Sequence, residues 1–197
     1  MSAAVESSRS LQREWWLRSL AVFAHPRETF AALRDDSDDA AEARQEPILA
    51  IIILAGIAGV LSTALAGRLL DDPRFDRLNV AVWAFIGGGV YGALVYFFGG
   101  VLVFALARGI GAQSSFRQAR HVVGLAAAPL ALSLFLVWPV RLAIYGEDVF
   151  RTGGSDSGPG DKIFEALVVA AYAWSVALVV LGLLELRKAS SSSSSMP

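Results

Sequence analysis

The sequence contains no cysteine, only two histidines and little charge. Without cysteine the chain has no disulfide framework, no thiolate metal site and no cysteine nucleophile. Two histidines make a metal cage an unfavourable hypothesis, and we predict neither a metal nor a cofactor. The 17 basic and 18 acidic residues nearly cancel, which excludes a broadly basic nucleic-acid-binding protein and an acidic disordered chain. Hydrophobic side chains make up 55% of the 197 residues, a composition typical of a membrane protein.

Four long apolar runs predict four transmembrane helices. The first, Pro47 to Gly67, has no charged residue, and a helix of its 21 residues covers about 30 Å, the thickness of a hydrocarbon core. In the third run we predict a kink at Pro129, because proline inside a membrane helix frees a carbonyl and bends the axis. The fold class is an all-α integral membrane protein with a bundle of four transmembrane helices. The predicted spans are residues 47–67, 80–107, 118–142 and 163–184.

The residues before the first span, 1–46, form a predicted cytoplasmic segment with amphipathic helices. The stretch from Leu11 to Phe23 contains helix-forming residues, and its two tryptophans, Trp15 and Trp16, lie close to arginines. Indole rings favour the boundary between lipid and water, so this pattern is typical of a helix in the headgroup layer. The alternative is a short cytosolic helix that packs onto its own domain.

A membrane domain is predicted over residues 47–186, with shorter segments before and after it. Pro26 favours a second helix start, with Phe30 and Leu33 on its apolar side. The run from Asp35 to Glu46 favours a solvated acidic connector. The serine-rich tail, 187–197, is of low complexity and is predicted to be disordered.

Four spans leave both chain ends on one side of the membrane, and loop charges choose the side. Near the spans, the segments on the side of the chain ends carry eight Lys and Arg residues, and the opposite loops carry six. Cytoplasmic loops are enriched in Lys and Arg, so this small excess favours cytoplasmic N- and C-termini.

Few ionisable side chains lie at membrane depth, and none of them forms an evident relay. Arg141, at the outer end of the third span, either reaches water alone or pairs with Glu165. His25 and His121 are interpreted as interfacial residues without a catalytic task, since no serine nucleophile in a glycine-flanked turn accompanies them. The glycine-rich stretch from Gly153 to Gly160 lacks the lysine of a phosphate-binding loop and favours a flexible loop.

Small residues inside the spans are candidates for helix packing. Gly88 and Gly92 form a G-x-x-x-G pair in an uncharged segment, and such pairs let two helix backbones approach closely. We expect these faces to pack inside the bundle, with self-association as the alternative, and we expect Tyr91, Tyr96 and Tyr172 to pack or to line a polar cavity. The other packing candidates are Ala55, Gly59, Gly99 and Gly100.

Two strings of residues carry a resemblance to a known family. They are HPRETFAALRDD before the first span and GGVLVFALARGIGAQSSFRQARHVVGLAAAPLALSL from Gly99 to Leu134. Over about residues 20–185 the chain resembles the bacterial branch of the Yip-domain family of multi-pass membrane proteins. Eukaryotic relatives are associated with Rab-type GTPases and Golgi traffic, but the DLYGP-type motif of that branch and a fifth span common in the family are not found here. The resemblance implies a helical membrane domain with no catalytic residues to carry over.

Three functions follow as hypotheses. The leading one is a non-enzymatic protein that organises protein partners or lipid at the bacterial cytoplasmic membrane, with membrane lipids, other membrane proteins or its own copies as partners. The second is a small transporter or channel component whose pathway is lined by the kinked third span. The third is a membrane enzyme that acts on headgroups through His121 and nearby acids.

Overall fold

The computed structural model describes the backbone of residues 2–193 and the side chains of residues 10–156 and 158–188. Within this part of the chain the regular structure is helical, without strands. Four short 3₁₀ turns connect the longer helices: Ala32–Arg34, Ala66–Asp71, Gly146–Phe150 and Ser155–Ser157. The α-helices are α1 (Ser2–Ala21), α2 (Pro26–Ala31), α3 (Asp38–Leu61), α4 (Arg77–Gly109), α5 (Phe116–Ala126), α6 (Ala128–Tyr145) and α7 (Asp161–Ser193).

Four helical segments are long and apolar enough to cross a membrane, which confirms the predicted fold class. Each contains one of the predicted spans, or most of it, because the length of an apolar run is matched to the thickness of the hydrocarbon core. The segments are Asp38–Leu61, Arg77–Gly109, Phe116–Phe150 and Asp161–Lys188.

Helix α3 begins nine residues before the predicted first span, so most of the predicted acidic connector is helical instead. The Ser37 hydroxyl accepts a hydrogen bond of 3.4 Å from the Ala40 N–H and thereby caps the helix. Asp38 and Asp39 lie in the first turn, where negative charge is favourable at the positive end of the helix dipole. The acidic run therefore begins a helix, and the charge pattern alone did not predict this helix start.

The third span is interrupted beside Pro129. Helix α5 ends at Ala126 and α6 begins at Ala128, which places Pro129 in the first turn of α6, where its missing N–H costs no helical hydrogen bond. The Ala127 N–H donates to the carbonyl oxygens of Val123 and Gly124 and closes the end of α5. Pro139 lies inside α6 without ending it.

The fold divides into two compact units. Unit 1 contains the chain up to Ile51, Val95–Ala128 and the residues from Val176 on, and unit 2 contains Ile52–Leu94 and Pro129–Ser175. Large apolar side chains are buried inside each unit. In unit 1 they include Trp15, Val22, Phe30, Leu33, Val122 and Leu125. The core of unit 2 includes a cluster of Leu69, Leu70, Val80, Trp138, Val149 and Phe150.

Two predicted irregular segments are more ordered than the sequence suggests. The loop between α6 and α7 contains two 3₁₀ turns, and its Val149 and Phe150 are buried, because these apolar side chains complete the core of unit 2. The predicted disordered tail, 187–197, is helical as far as Ser193, since α7 continues without a break. Residues 194–197 of that tail lie outside the described residues.

Candidate functional site

A buried arginine forms the centre of a polar cluster in unit 1. The Arg44 side chain is 0% exposed, and each of its three guanidinium nitrogens donates a hydrogen bond. Nη2 pairs with Asp36 Oδ1 at 2.9 Å, Nη1 donates to the Asp35 carbonyl at 2.7 Å, and Nε donates to His121 Nδ1 at 2.8 Å. A buried cation is tolerated only when it is paired and hydrogen-bonded in this way. We call Asp36, Arg44, Ser115, Arg117 and His121 the Arg44 cluster.

Asp36 accepts hydrogen bonds from three side chains of the cluster. Its Oδ1 accepts from Arg44 and, at 2.8 Å, from Arg117 Nε, while its Oδ2 accepts from the Ser115 hydroxyl at 2.6 Å. Arg117 donates further to the Asp36 carbonyl and to Asp38. The expectation that the carboxylates of the connector are freely solvated is therefore wrong for Asp36, whose side chain is 23% exposed.

The start of α5 is built by a capping box that directs its polar side chains. The Ser115 hydroxyl accepts from the Gln118 N–H at 3.0 Å, and the Gln118 side chain accepts from the Ser115 N–H at 2.9 Å. The other end of the Gln118 amide donates to the Leu33 carbonyl at 3.0 Å. Arg117 and His121 are four residues apart and therefore share one face of α5, which carries them both into the cluster.

Trp15 attaches α1 to the Arg44 cluster. The Arg44 guanidinium carbon lies 5.5 Å from the centre of the Trp15 ring, within the range of a cation–π interaction. Trp15 is 3% exposed and Trp16 is 41% exposed, so the structure buries the first tryptophan inside unit 1 and leaves the second on the surface. His121, also predicted at the lipid boundary, is 5% exposed and accepts its hydrogen bond through Nδ1, so its ring proton is on Nε2.

One further basic residue of unit 1 occupies a defined position. The Arg120 guanidinium carbon lies 5.6 Å from the centre of the Tyr96 ring and 4.9 Å from the centre of the Phe116 ring. Its stem passes over Gly100, where an added Cβ would lie 2.3 Å from Arg120 Cγ. A Cβ on the neighbouring Gly99 would lie 3.2 Å from Val123, so both predicted packing glycines face α5.

In unit 2, Arg141 is held by two aspartates. Its Nε and Nη2 donate to the two carboxylate oxygens of Asp161 at 2.7 and 2.8 Å, and Nη2 also donates to Asp156 at 3.0 Å. The guanidinium lies 5.3 Å from the centre of the Trp138 ring. Arg141 thus pairs with Asp161 and Asp156, whereas the sequence left open a side chain that reaches water alone or a pair with Glu165.

The predicted packing glycines of unit 2 lie at close backbone contacts. A Cβ on Gly88 would be 2.6 Å from the Ile57 Cα, and a Cβ on Gly92 would be 2.4 Å from the Ile52 carbonyl oxygen. On α3 their counterpart is Gly56, where a Cβ would be 2.1 Å from the Gly88 carbonyl oxygen. Small-residue spacing predicts Ala55 and Gly59 of α3 as packing candidates instead of Gly56. In the structure Ala55 is buried, and Gly59 faces the Tyr91 ring.

Comparison with known proteins identifies the family. A family model for the Yip1 domain matches residues 20–196. The chain belongs to the Yip1 domain family. No curated protein and no solved structure matches it. With four apolar helices of spanning length, this Yip1-domain chain is a multi-pass membrane protein.

The Arg44 cluster of this Yip1-domain chain joins the two strings that carry the family resemblance. Asp36 ends the first string, while Ser115, Arg117 and His121 belong to the second. Sequence reasoning did not find Arg44 or Asp36, because isolated charges in an acidic stretch carry no spacing signal. The pattern Ser-x-x-Gln at Ser115 was a detectable sign of the helix start. Among the described residues, no group of three His, Asp or Glu is arranged to hold a metal ion.

Proposed function

We propose that this Yip1-domain protein is a non-enzymatic membrane protein that organises lipid or protein partners at a bacterial cytoplasmic membrane. In this proposal helix α1 provides the contact surface, and the anionic lipid of the inner leaflet is its first partner. The observation that carries it is the division of α1 into a buried face and an exposed apolar face.

The two faces of α1 differ in what they contact. Trp15 and Ser19 of α1 are almost fully buried, as is Val22 directly after the end of the helix. Trp16, Leu17 and Leu20 are 41%, 62% and 68% exposed, and they lie together on one side of the helix because they are one and four residues apart. Water is an unfavourable environment for three large apolar side chains in one patch, so this exposed face suits the boundary between headgroups and acyl chains.

The charges near this face fit a lipid partner. Arg13 precedes the exposed patch by one turn, and Arg27 is exposed at the start of α2. Basic residues close to a membrane surface are attracted to anionic headgroups, by about 1 kcal/mol each. The Arg44 cluster fixes the orientation of α1 through Trp15, so the exposed face is presented in one direction instead of rotating freely.

Single-cysteine variants test this placement, because the wild-type chain contains no cysteine that would also react. Leu17→Cys and Leu20→Cys are labelled with a nitroxide in the full-length protein, in bilayers that contain phosphatidylglycerol. We expect both labels to be accessible to oxygen, which partitions into lipid, and protected from a water-soluble nickel complex.

Glu14→Cys is the matched control, because Glu14 lies on the same helix with a 52% exposed side chain that pairs with Arg18. Its label should show the reverse accessibility, high to the nickel complex and low to oxygen. If the labels at positions 17 and 20 are as accessible to the nickel complex as the label at position 14, α1 is not a lipid contact and the proposal fails.

A further inference from the structure

Residues of unit 2 line a cavity of about 600 Å³. This volume is within the range of about 300–1,000 Å³ that is typical of small-molecule sites. The side chains that give the cavity its chemistry are Tyr91, Trp138, Arg141, Phe164, Glu165 and Tyr172.

The charged groups at the cavity carry a net negative charge. Among the described residues of the lining, Arg141 is the basic one. Its guanidinium already forms ion pairs with the carboxylates of Asp161 and Asp156. Glu165 also lines the cavity, and it has no ion-pair partner among the residues that the structure describes. The lining itself has one arginine and two carboxylates, and Asp161 adds a third carboxylate that contacts Arg141 from outside the lining. The excess of negative charge favours a cation and repels an anion.

The same cavity is rich in aromatic rings. Tyr91, Phe164 and Tyr172 contribute to its lining beside Trp138, whose ring is already contacted by the Arg141 guanidinium, and the faces of such rings attract cations. Gly59 leaves space for two of them, since a Cβ there would lie 2.7 Å from the Tyr91 ring and 3.5 Å from the Tyr172 hydroxyl. A carboxylate together with several aromatic faces is the combination that recognises organic ammonium groups.

We propose that this cavity binds an organic ammonium ion that carries an apolar substituent. The ammonium group pairs with Glu165 and contacts the tyrosine rings, and the substituent occupies the apolar part of the lining. A neutral apolar molecule would make no use of the negative charge of the lining, and a metal ion would find no set of three ligands among the described residues. The ligand is therefore either a free amphipathic amine or the ethanolamine headgroup of a phospholipid.

The binding test uses the full-length protein in dodecyl maltoside, a detergent without an ammonium group. The probe is radiolabelled benzyltrimethylammonium in equilibrium dialysis, and the competitor is neopentylbenzene, which has nearly the same shape without the charge. We expect saturable binding of the cation and no displacement by the neutral competitor. Absence of saturable binding, or equal displacement by neopentylbenzene, would overturn the proposal.

Variants of the lining residues distinguish a loss of binding caused by a lost charge from a loss caused by a disturbed fold. Glu165→Gln removes the charge at nearly constant volume and should weaken binding by about tenfold or more. Glu147→Gln is the matched control, because Glu147 pairs with Arg77 and does not line the cavity, so affinity should change by less than about twofold. Tyr172→Phe keeps the ring and should retain binding, whereas Tyr172→Leu should weaken it by about threefold to tenfold. Equal effects of Glu165→Gln and Glu147→Gln would contradict a specific site.

A competition experiment distinguishes the two sources of the ammonium group. If phosphatidylethanolamine displaces the probe and phosphatidylglycerol does not, a lipid headgroup occupies the cavity. If hexylamine displaces the probe and phosphatidylethanolamine does not, the ligand is a free amine. Either result supports the ammonium site, and failure of both amines to displace the probe would overturn it.

Discussion

Arg44 Nε and His121 Nδ1 are joined by a hydrogen bond of 2.8 Å inside unit 1, although 77 residues separate them in the chain. The arginine is fully buried and the histidine is 5% exposed. With Asp36 and the Asp35 carbonyl on its other nitrogens, Arg44 has a partner for every guanidinium nitrogen. The bond therefore fixes the start of α3 against α5 through a cation that cannot leave its partners at low cost.

Replacement of Arg44 should destabilise the protein strongly. Arg44→Met removes the cation and leaves the buried His121 and the partly exposed Asp36 each without one hydrogen-bond partner. We expect the free energy of unfolding to fall by about 1–3 kcal/mol, the usual cost of leaving a buried polar group such as His121 without its hydrogen-bond partner. Denaturant unfolding in detergent micelles measures the change.

Arg13→Met is the control for this variant, because Arg13 is exposed on α1. Its effect should be within about 0.5 kcal/mol, as is usual for surface substitutions. Equal losses in the two variants would show that Arg44 does not hold unit 1 together.

The glycines of α4 should respond to alanine according to the space beside each one. Gly88→Ala and Gly92→Ala place a Cβ less than 3 Å from the backbone of α3 and should each cost about 1–3 kcal/mol. Gly89→Ala is the matched control, since no atom lies within 4 Å of its added Cβ. It should be neutral or stabilise the helix by up to about 1 kcal/mol. Thermal unfolding of the three variants tests this order, and a loss at Gly89 as large as at Gly88 would contradict it.

The exposed loops of unit 2 carry a carboxyl group with a lowered pKa. Hydrogen bonds from the Thr152 hydroxyl and then from its N–H hold the pKa of Asp71 below its usual value of 3.8. A lowered carboxyl pKa stabilises the folded state above the usual value, and this stabilisation is lost as the pH falls through the lowered pKa. We therefore expect this link between the two loops to weaken only in strong acid.

Thr152→Val should raise the pKa of Asp71 toward 3.8, because it removes the hydroxyl donor and keeps the N–H. The pKa is measured by NMR titration of carbon-13-labelled aspartate carboxyls. Thr63→Val is the control, since the Thr63 hydroxyl donates to the Val60 carbonyl and not to an acid. A pKa of Asp71 that stays unchanged in Thr152→Val would refute the assigned cause.

The proposed topology places the two loop sets on opposite sides of the membrane. Asp39→Cys and Gln113→Cys should react with a membrane-impermeant maleimide only from the cytoplasmic side, and Arg74→Cys only from the other side. All three positions are exposed, so the reagent can label each of them when it is added on the side of the membrane where that position lies. Right-side-out and inverted vesicles give the two directions of access. Labelling of Asp39→Cys and Arg74→Cys from the same side would contradict four spans with cytoplasmic ends.

The spans were predictable from the sequence because the thickness of the bilayer fixes how long an apolar run must be. At Pro129 the sequence predicted a kink, since proline lacks the N–H that a helix interior requires. The structure ends one helix at Ala126 and begins the next at Ala128, and the bend itself stays a prediction. The start of α3 at Asp38 was not predicted, because acids that begin a helix have the same composition as acids in a solvated connector. The buried Val149 and Phe150 were missed because their glycine- and acid-rich surroundings favoured a loop.

The candidate site was less predictable than the fold, because its members are far apart in the chain. Asp36 and Ser115 are 79 residues apart, and no local pattern indicates that one will bond to the other. On α3 the choice between Ala55 and Gly56 depends on the rotation of the helix, which small-residue spacing does not determine. The tyrosines were predicted either to pack or to line a cavity, and the structure places Tyr91 and Tyr172 in a cavity lining.

The long separations in the Arg44 cluster set an order for the assembly of the protein during synthesis. Arg44 and Asp36 leave the ribosome together with the first span, whereas Ser115, Arg117 and His121 follow only with the third. A nascent chain that has inserted two spans therefore contains Arg44 before its hydrogen-bond acceptor, His121, has been synthesised. Completion of the Arg44 cluster is a late step in biogenesis, and it depends on the arrival of α5 rather than on insertion of the apolar helices alone.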